Sequence, residues 1–214
     1  MKKKRIFLGP VEIAGYYTNL SAGLNAIGYN SECIFFSQNR FGYASIKSAN
    51  FLLKFLQWTM ILRAKSSNII QKIFVFSLSQ LACFLYFFYA AYRYDIFIFG
   101  FGKSILPMNL DIPILRLMHK MIICNMAHGA ESRPPYCDGA YLAPKGGCTL
   151  TAQKMLSYSL HHKRRLRWME RYANIIIGAP FTSQFAQIPF IISFVLGVPY
   201  FKTKSLEKPE MNTD

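Results

Sequence analysis

The residues best suited to chemistry lie in one loop, His128-Gly129-Ala130-Glu131-Ser132-Arg133-Pro134-Pro135. An imidazole, a carboxylate and a guanidinium within six positions could move a proton and hold an anion. Gly129 permits a sharp turn, and the proline pair forbids both helix and ladder. The loop follows Met121–Asn125, a short Ile-containing apolar run that reads as a buried strand. The carboxyl end of such a strand is where open α/β sheets bind ligands. A polar surface loop with a local Glu131–Arg133 ion pair is the alternative reading.

The elements around this loop alternate in type. Arg5–Leu8 reads as a first strand, Tyr17 to Ala26 as a helix ended by Gly28, and Ser31–Phe36 as a second strand. That is a βαβ unit, and it implies a parallel sheet. Further strands are expected at Asp95–Phe99, Met121–Asn125, Asn174–Ile177 and Ile191–Val195. Helices are expected at Phe51–Arg63, Ile112–Lys120 and Thr151–Tyr172, the last capped by Thr149 or Thr151. The fold class is therefore α/β, a Rossmann-like doubly wound parallel sheet.

Two glycine turns fall short of nucleotide signatures. Gly9 to Gly15 is not GxGxxG. Gly100-Phe101-Gly102-Lys103-Ser104 resembles the end of a P-loop, but Phe97 stands where its first glycine belongs. The five cysteines form no CxxC pair, and Cys137, Cys148, His161 and His162 match no common zinc spacing. No metal and no cofactor is expected, and the free thiols suit a reducing compartment.

Of the 214 residues 52% are hydrophobic, and the net charge is +15. Such a balance points to an anionic partner. Much of the aromatic content sits in apolar runs apart from the Lys and Arg residues, and no nucleic-acid-binding motif occurs, so nucleic acid is not expected. Phosphate and an anionic membrane surface remain. Ile73–Tyr92 is uncharged and, as a helix, about 30 Å long, enough to span a bilayer. A strand begins almost at once after it, and a single crossing would divide the sheet between the two sides of the membrane. A helix buried in protein or lying in the interface is the favoured reading. His161-His162-Lys163-Arg164-Arg165 with Arg167 forms a cationic run, either a solvated face or an anion-docking one.

Several stretches resemble the N-terminal half of a GT-B glycosyltransferase of the broad family-4/family-1 type. Phe7-Leu8-Gly9-Pro10 through Gly15, with its helix and Gly28, is similar to that family's first βα unit. Tyr94–Phe99 with Gly100 and Gly102, the His128–Arg133 loop, Tyr172–Ile177 and Leu196-Gly197-Val198-Pro199 resemble its later strands and turns. The resemblance implies a Rossmann-like domain over residues 1–200 and a linker over 201–214 toward a donor-binding domain that the chain lacks. It implies sugar transfer from a nucleotide-sugar donor, held by a second domain or subunit, to a glycan or lipid-linked acceptor. It makes His128 or Glu131 the catalytic base. Gly15, Asn19, Gly129 and Arg133 become substrate-binding positions, Gly15 by close backbone approach and Arg133 as a phosphate or acceptor clamp. The implied location is cytoplasmic, peripheral at the inner face of the plasma membrane. A non-catalytic membrane-associated partner subunit and a small integral membrane protein are the competing expectations.

Overall fold

A computed structural model describes residues 3–37, 50–129, 132–143 and 149–193. Six parallel strands form one sheet: β1 (Arg5–Gly9), β2 (Asn30–Cys33), β3 (Ile96–Gly100), β4 (Met121–Asn125), β5 (Ile175–Gly178) and β6 (Ile191–Ile192). Their order is β2-β1-β3-β4-β5-β6. The chain leaves β1 toward one edge and builds the rest on the other side. The switch point therefore lies between β1 and β3, and the crevice at their carboxyl ends is where such sheets accept ligands.

Alternation within the strands decides what each face carries. Phe7, Phe97, Phe99, Ile122, Cys124 and Ile176 share one face, packed beneath α2 (Phe51–Lys65), α3 (Ile69–Arg93), α4 (Asp111–Leu117) and α5 (Ala152–Tyr172). Phe7 pairs with Phe97 in register, and their rings lie 5.5 Å apart. Ile6, Leu8 and Ile98 turn to the opposite face, where α1 (Tyr16–Ala26) covers them. Helices on both faces make the sheet doubly wound, as expected.

The boundaries differ from expectation where local chemistry intervenes. The β1–β2 ladder stops at Cys33, yet Ile34 N–H still donates to Leu8 O at 2.8 Å and Phe36 N–H to Pro10 O at 3.2 Å, past the cis Gly9–Pro10 peptide. Helix α1 ends with Gly28 donating to Asn25 O and Tyr29 to Leu24 O, a Schellman motif with Gly28 left-handed as anticipated. Helix α4 ends three residues before the expected Lys120 in the same motif. There His119 takes the left-handed position (φ 55°) and Lys120 N–H reaches Leu115 O, with no glycine to mark the stop. Thr151 caps α5, accepting from Lys154 N–H. Residues 194–214, with Leu196–Pro199, the end of the expected last strand and the expected linker, lie outside the described residues.

Helix α3 is long and apolar enough to cross a membrane by length and composition. Its Tyr86, Phe87, Ala90 and Ala91 are nonetheless buried in the core. β1, before it, pairs directly with β3, after it. The sheet thus has both flanks of α3 on one side, as the sequence argument required. The opposite face of α3 is exposed and apolar, with Ile70, Ile73, Phe74, Leu81, Phe84 and Phe88 at spacings of three, four and seven.

Candidate functional site

The loop after β1 turns through Ala14 and Gly15, both left-handed (φ 49° and 79°), before α1 begins. The first donors of that helix meet the chain's own carboxylate. Glu12 Oε1 accepts from Ile13 and Tyr17 N–H, and Oε2 accepts from Thr18 N–H at 3.0 Å and from its hydroxyl at 2.5 Å. A buried carboxylate at a helix N-terminus satisfies orphan donors and meets the favourable end of the helix dipole. Asn19 is exposed one turn on, above Gly15, whose carbonyl accepts its N–H.

This cap sets Tyr16 and Tyr17 against His128. Tyr17 Oη lies 2.9 Å from His128 Nε2, and both tyrosine rings meet the imidazole edge-on, at 5.0 and 5.6 Å. Tyr17 is fully buried, and its hydroxyl fills the space that a Cβ on Gly100 would need, only 1.8 Å away. Any side chain at Gly100 would therefore displace Tyr17. Burial raises the Tyr16 hydroxyl's pKa, and the side chain of buried Asn125 at the end of β4 opposes the rise; Asn125 Oδ1 also accepts from Ala127 N–H. Burial lowers the His128 pKa below the usual imidazole value, against the opposing pull of Glu12. The ring is thus neutral near pH 7, the form that accepts a proton.

The His128 loop is braced mostly by residues other than those the sequence singled out. Buried Ser132 donates toward the Met126 and Thr182 carbonyls, at 2.9 and 2.7 Å, fixing the loop to β4 and to the turn after β5. Gly129 is buried and left-handed, with the Arg133 guanidinium folded over it. Arg133 pairs with Asp138 at 3.2 Å. Glu131, with Ala130, lies outside the described residues.

Along the same edge, on the side of α2, α3 and α5, opens a cavity of about 740 Å³. Its floor is residues 102–110, held by a buried polar network. Ser104 N–H donates to Asn109 Oδ1, Asn109 Nδ2 to Gly102 O, Ile105 N–H to Asp111 Oδ2, and Trp168 Nε1 to Asn109 O. Ser104 Oγ donates to Asp111 Oδ1. Burial pushes the Asp111 carboxyl up to about 6, its hydrogen bonds opposing. The Ser104 hydroxyl that a P-loop would turn to a metal is thus spent inside the fold.

The cationic run on α5 divides. Arg164 and Arg165 line the cavity, and the Arg165 guanidinium packs so closely on left-handed Gly102 that a Cβ there would lie 2.7 Å from its Nε. Lys163 stacks on Phe185 instead, and Arg167 is exposed. Arg63 from α2 and Lys103 complete the charged lining.

The structure thus brings His128 and the Gly15 turn together, with Gly129 beside His128 in the same loop, and leaves Arg133 engaged in an ion pair. Sequence reasoning missed Glu12, Tyr17, Ser132 and Asp111. Their only local signals were a carboxylate three residues ahead of a glycine turn and another opening a helix. Cysteine chemistry is not supported at half-buried Cys33 or buried Cys83. Burial pushes Cys33 up to about 12 and Cys83 to about 11, far from a thiolate at neutral pH. Among the described residues no cluster of His, Cys, Asp and Glu could hold a metal ion. Comparison with protein-family models, with curated proteins and with solved structures finds no match.

Proposed function

We propose that this chain is the acceptor-side half of a glycosyltransferase, moving a sugar from a nucleotide-sugar to a glycan or lipid-linked acceptor. One observation carries the reading: Tyr17 Oη meets His128 Nε2 at the carboxyl edge of the sheet, joining the start of α1 to the loop after β4. In this reading the acceptor oxygen attacks the anomeric carbon while its proton passes to neutral His128. The bond from that carbon to the nucleotide's phosphate oxygen breaks, and the nucleotide departs with the bonding pair. Tyr17 holds the imidazole in place. Gly15 and Asn19 flank the approach to the donor, and Arg133 would exchange Asp138 for a phosphate.

The donor's nucleotide belongs to a second domain or subunit in this scheme. The exposed apolar face of α3 and the net charge of +15 support peripheral attachment to an anionic membrane surface, at the inner face of the plasma membrane.

Transfer of radiolabelled sugar in membranes from cells producing the chain tests the reading. His128→Ala should lower it by about 10²–10⁴-fold, the usual worth of a general base, in a chain that still folds and accumulates. Calorimetry on the isolated chain should detect no micromolar binding of sugar nucleotides. Undiminished transfer by the variant, or tight donor binding by the chain alone, overturns the proposal.

A further inference from the structure

We infer that the cavity beside α2 and α3 binds a lipid phosphate, a phosphate or pyrophosphate ester of a long apolar chain, with its head inside and its tail laid along α3. Charge is the first argument. Arg63, Lys103, Arg164 and Arg165 reach the cavity from α2, the loop after β3 and α5, and no Asp or Glu is among the described residues that line it. Four cations from three elements around one concave surface focus a positive potential that an anion relieves. Three of the four are arginines, whose planar fork matches phosphate oxygens in pairs.

The apolar wall is the second argument. Met60, Phe76, Cys83, Leu106 and Met108 line the same space, a surface for which a free phosphate has no use. Phe76 is partly exposed, and Ile73 and Ile69 continue from it at three and seven residues back, on one helix face. They carry apolar surface about 10 Å beyond the cavity. Arg63 lies over the Phe76 ring at 4.8 Å, at the junction of charge and apolar wall. Polar head and apolar tail therefore have adjacent places.

The floor is the third argument. Residues 102–110 include Phe101's neighbour Gly102 and two non-glycine residues in left-handed conformation, Met108 and Asn109. Such conformations persist where surrounding bonds hold them, and they concentrate at ligand-binding loops. The Ser104–Asn109–Asp111 network supplies those bonds. The bound lipid's service as the sugar acceptor rests on the transferase reading; its binding does not.

The test is equilibrium binding to the whole chain of dodecyl phosphate, kept below its micelle threshold, beside dodecanol, inorganic phosphate and uridine monophosphate. Dodecyl phosphate should bind at least about 10-fold tighter than each of the three, since only it uses both surfaces. The Arg63→Gln/Arg164→Gln variant, altered at two exposed positions, should keep its melting temperature and lose about 10-fold or more in affinity. Phe76→Ser should weaken dodecyl phosphate and leave inorganic phosphate unchanged. His128→Ala should bind like the wild type, so that lost transfer with intact binding speaks to the catalytic reading alone. Equal binding of dodecanol, equal or tighter binding of phosphate or the nucleotide, no binding of any ligand, or an Arg63→Gln/Arg164→Gln variant of full affinity overturns the inference.

Discussion

The crevice at His128 and the cationic cavity share one edge of the sheet and rest on the same device, a buried carboxylate that gathers loop donors. Glu12 supports the crevice through the start of α1, and Asp111 supports the cavity floor. What stands on each support differs. The crevice is lined by tyrosines around a neutral imidazole. The cavity carries exposed guanidinium groups beside apolar side chains. Desolvation keeps a base uncharged and reactive, whereas groups meant to capture an anion must stay charged and wet. One sheet edge thus provides two environments of opposite electrostatic character, each resting on its own buried carboxylate.

That independence can be broken from either side. The largest effect is expected at Gly100, where a Cβ would overlap the Tyr17 hydroxyl. Gly100→Ala should cost about 3 kcal/mol, the upper range for overpacking a tight core, read as a lowered denaturant midpoint. Removing the obstructing hydroxyl by Tyr17→Phe in the same chain should recover part of that loss. A double variant no better than Gly100→Ala alone would show that the clash is relieved elsewhere. The cavity's affinity for dodecyl phosphate should stay near wild type in every variant that folds.

A pH titration probes the other support. Asp111 rises from its ordinary 3.8 to about 6 in the fold. Between these values the native state holds a proton that the unfolded chain has lost. Stability therefore falls as pH climbs through this window and levels off above 6. Two pH units correspond to about 3 kcal/mol at most. Asp111→Asn, which cannot titrate, should show a flatter profile between pH 4 and 6 than the wild type. Parallel profiles would assign the proton elsewhere.

How much of this was legible beforehand depends on how far apart the determinants lie. The strands announced themselves because apolar runs such as Ile96–Phe99 and Met121–Cys124 are local signals, and Gly28 marked its helix end by the conformation it permits. His119 carried no such mark, so α4 seemed longer than it is. The His128 loop stood out by composition, and its position beyond β4 followed from the strand before it. Tyr17 could not be read that way. It appears as one more helix residue until the sheet brings Gly100, 83 positions onward by sequence, beneath its ring. Asp138 likewise became the partner of Arg133 only once residues 132–138 had folded back on themselves. The cationic run on α5 was visible as charge, but which cations face the cavity is set by the helix rotation against the loop after β3.

The smallest effect, and the sharpest on the crevice, is expected from Glu12→Gln. The amide keeps one oxygen as an acceptor but loses the charge and the second acceptor, so the four donors now on Glu12 cannot all be satisfied. A lost cap of this kind costs about 1 kcal/mol. The more telling readout is His128. Burial lowers its pKa and the Glu12 charge pulls the other way. Removing that charge while leaving the Tyr17 contact and the burial in place should move the His128 titration to lower pH, followed by NMR of the imidazole protons. The direction matters more than the size, because simple loosening of the loop would hydrate the ring and raise its pKa toward the ordinary value. An upward shift would mean that Glu12 acts by holding α1 in place; a downward shift identifies its charge as part of the field that sets the base.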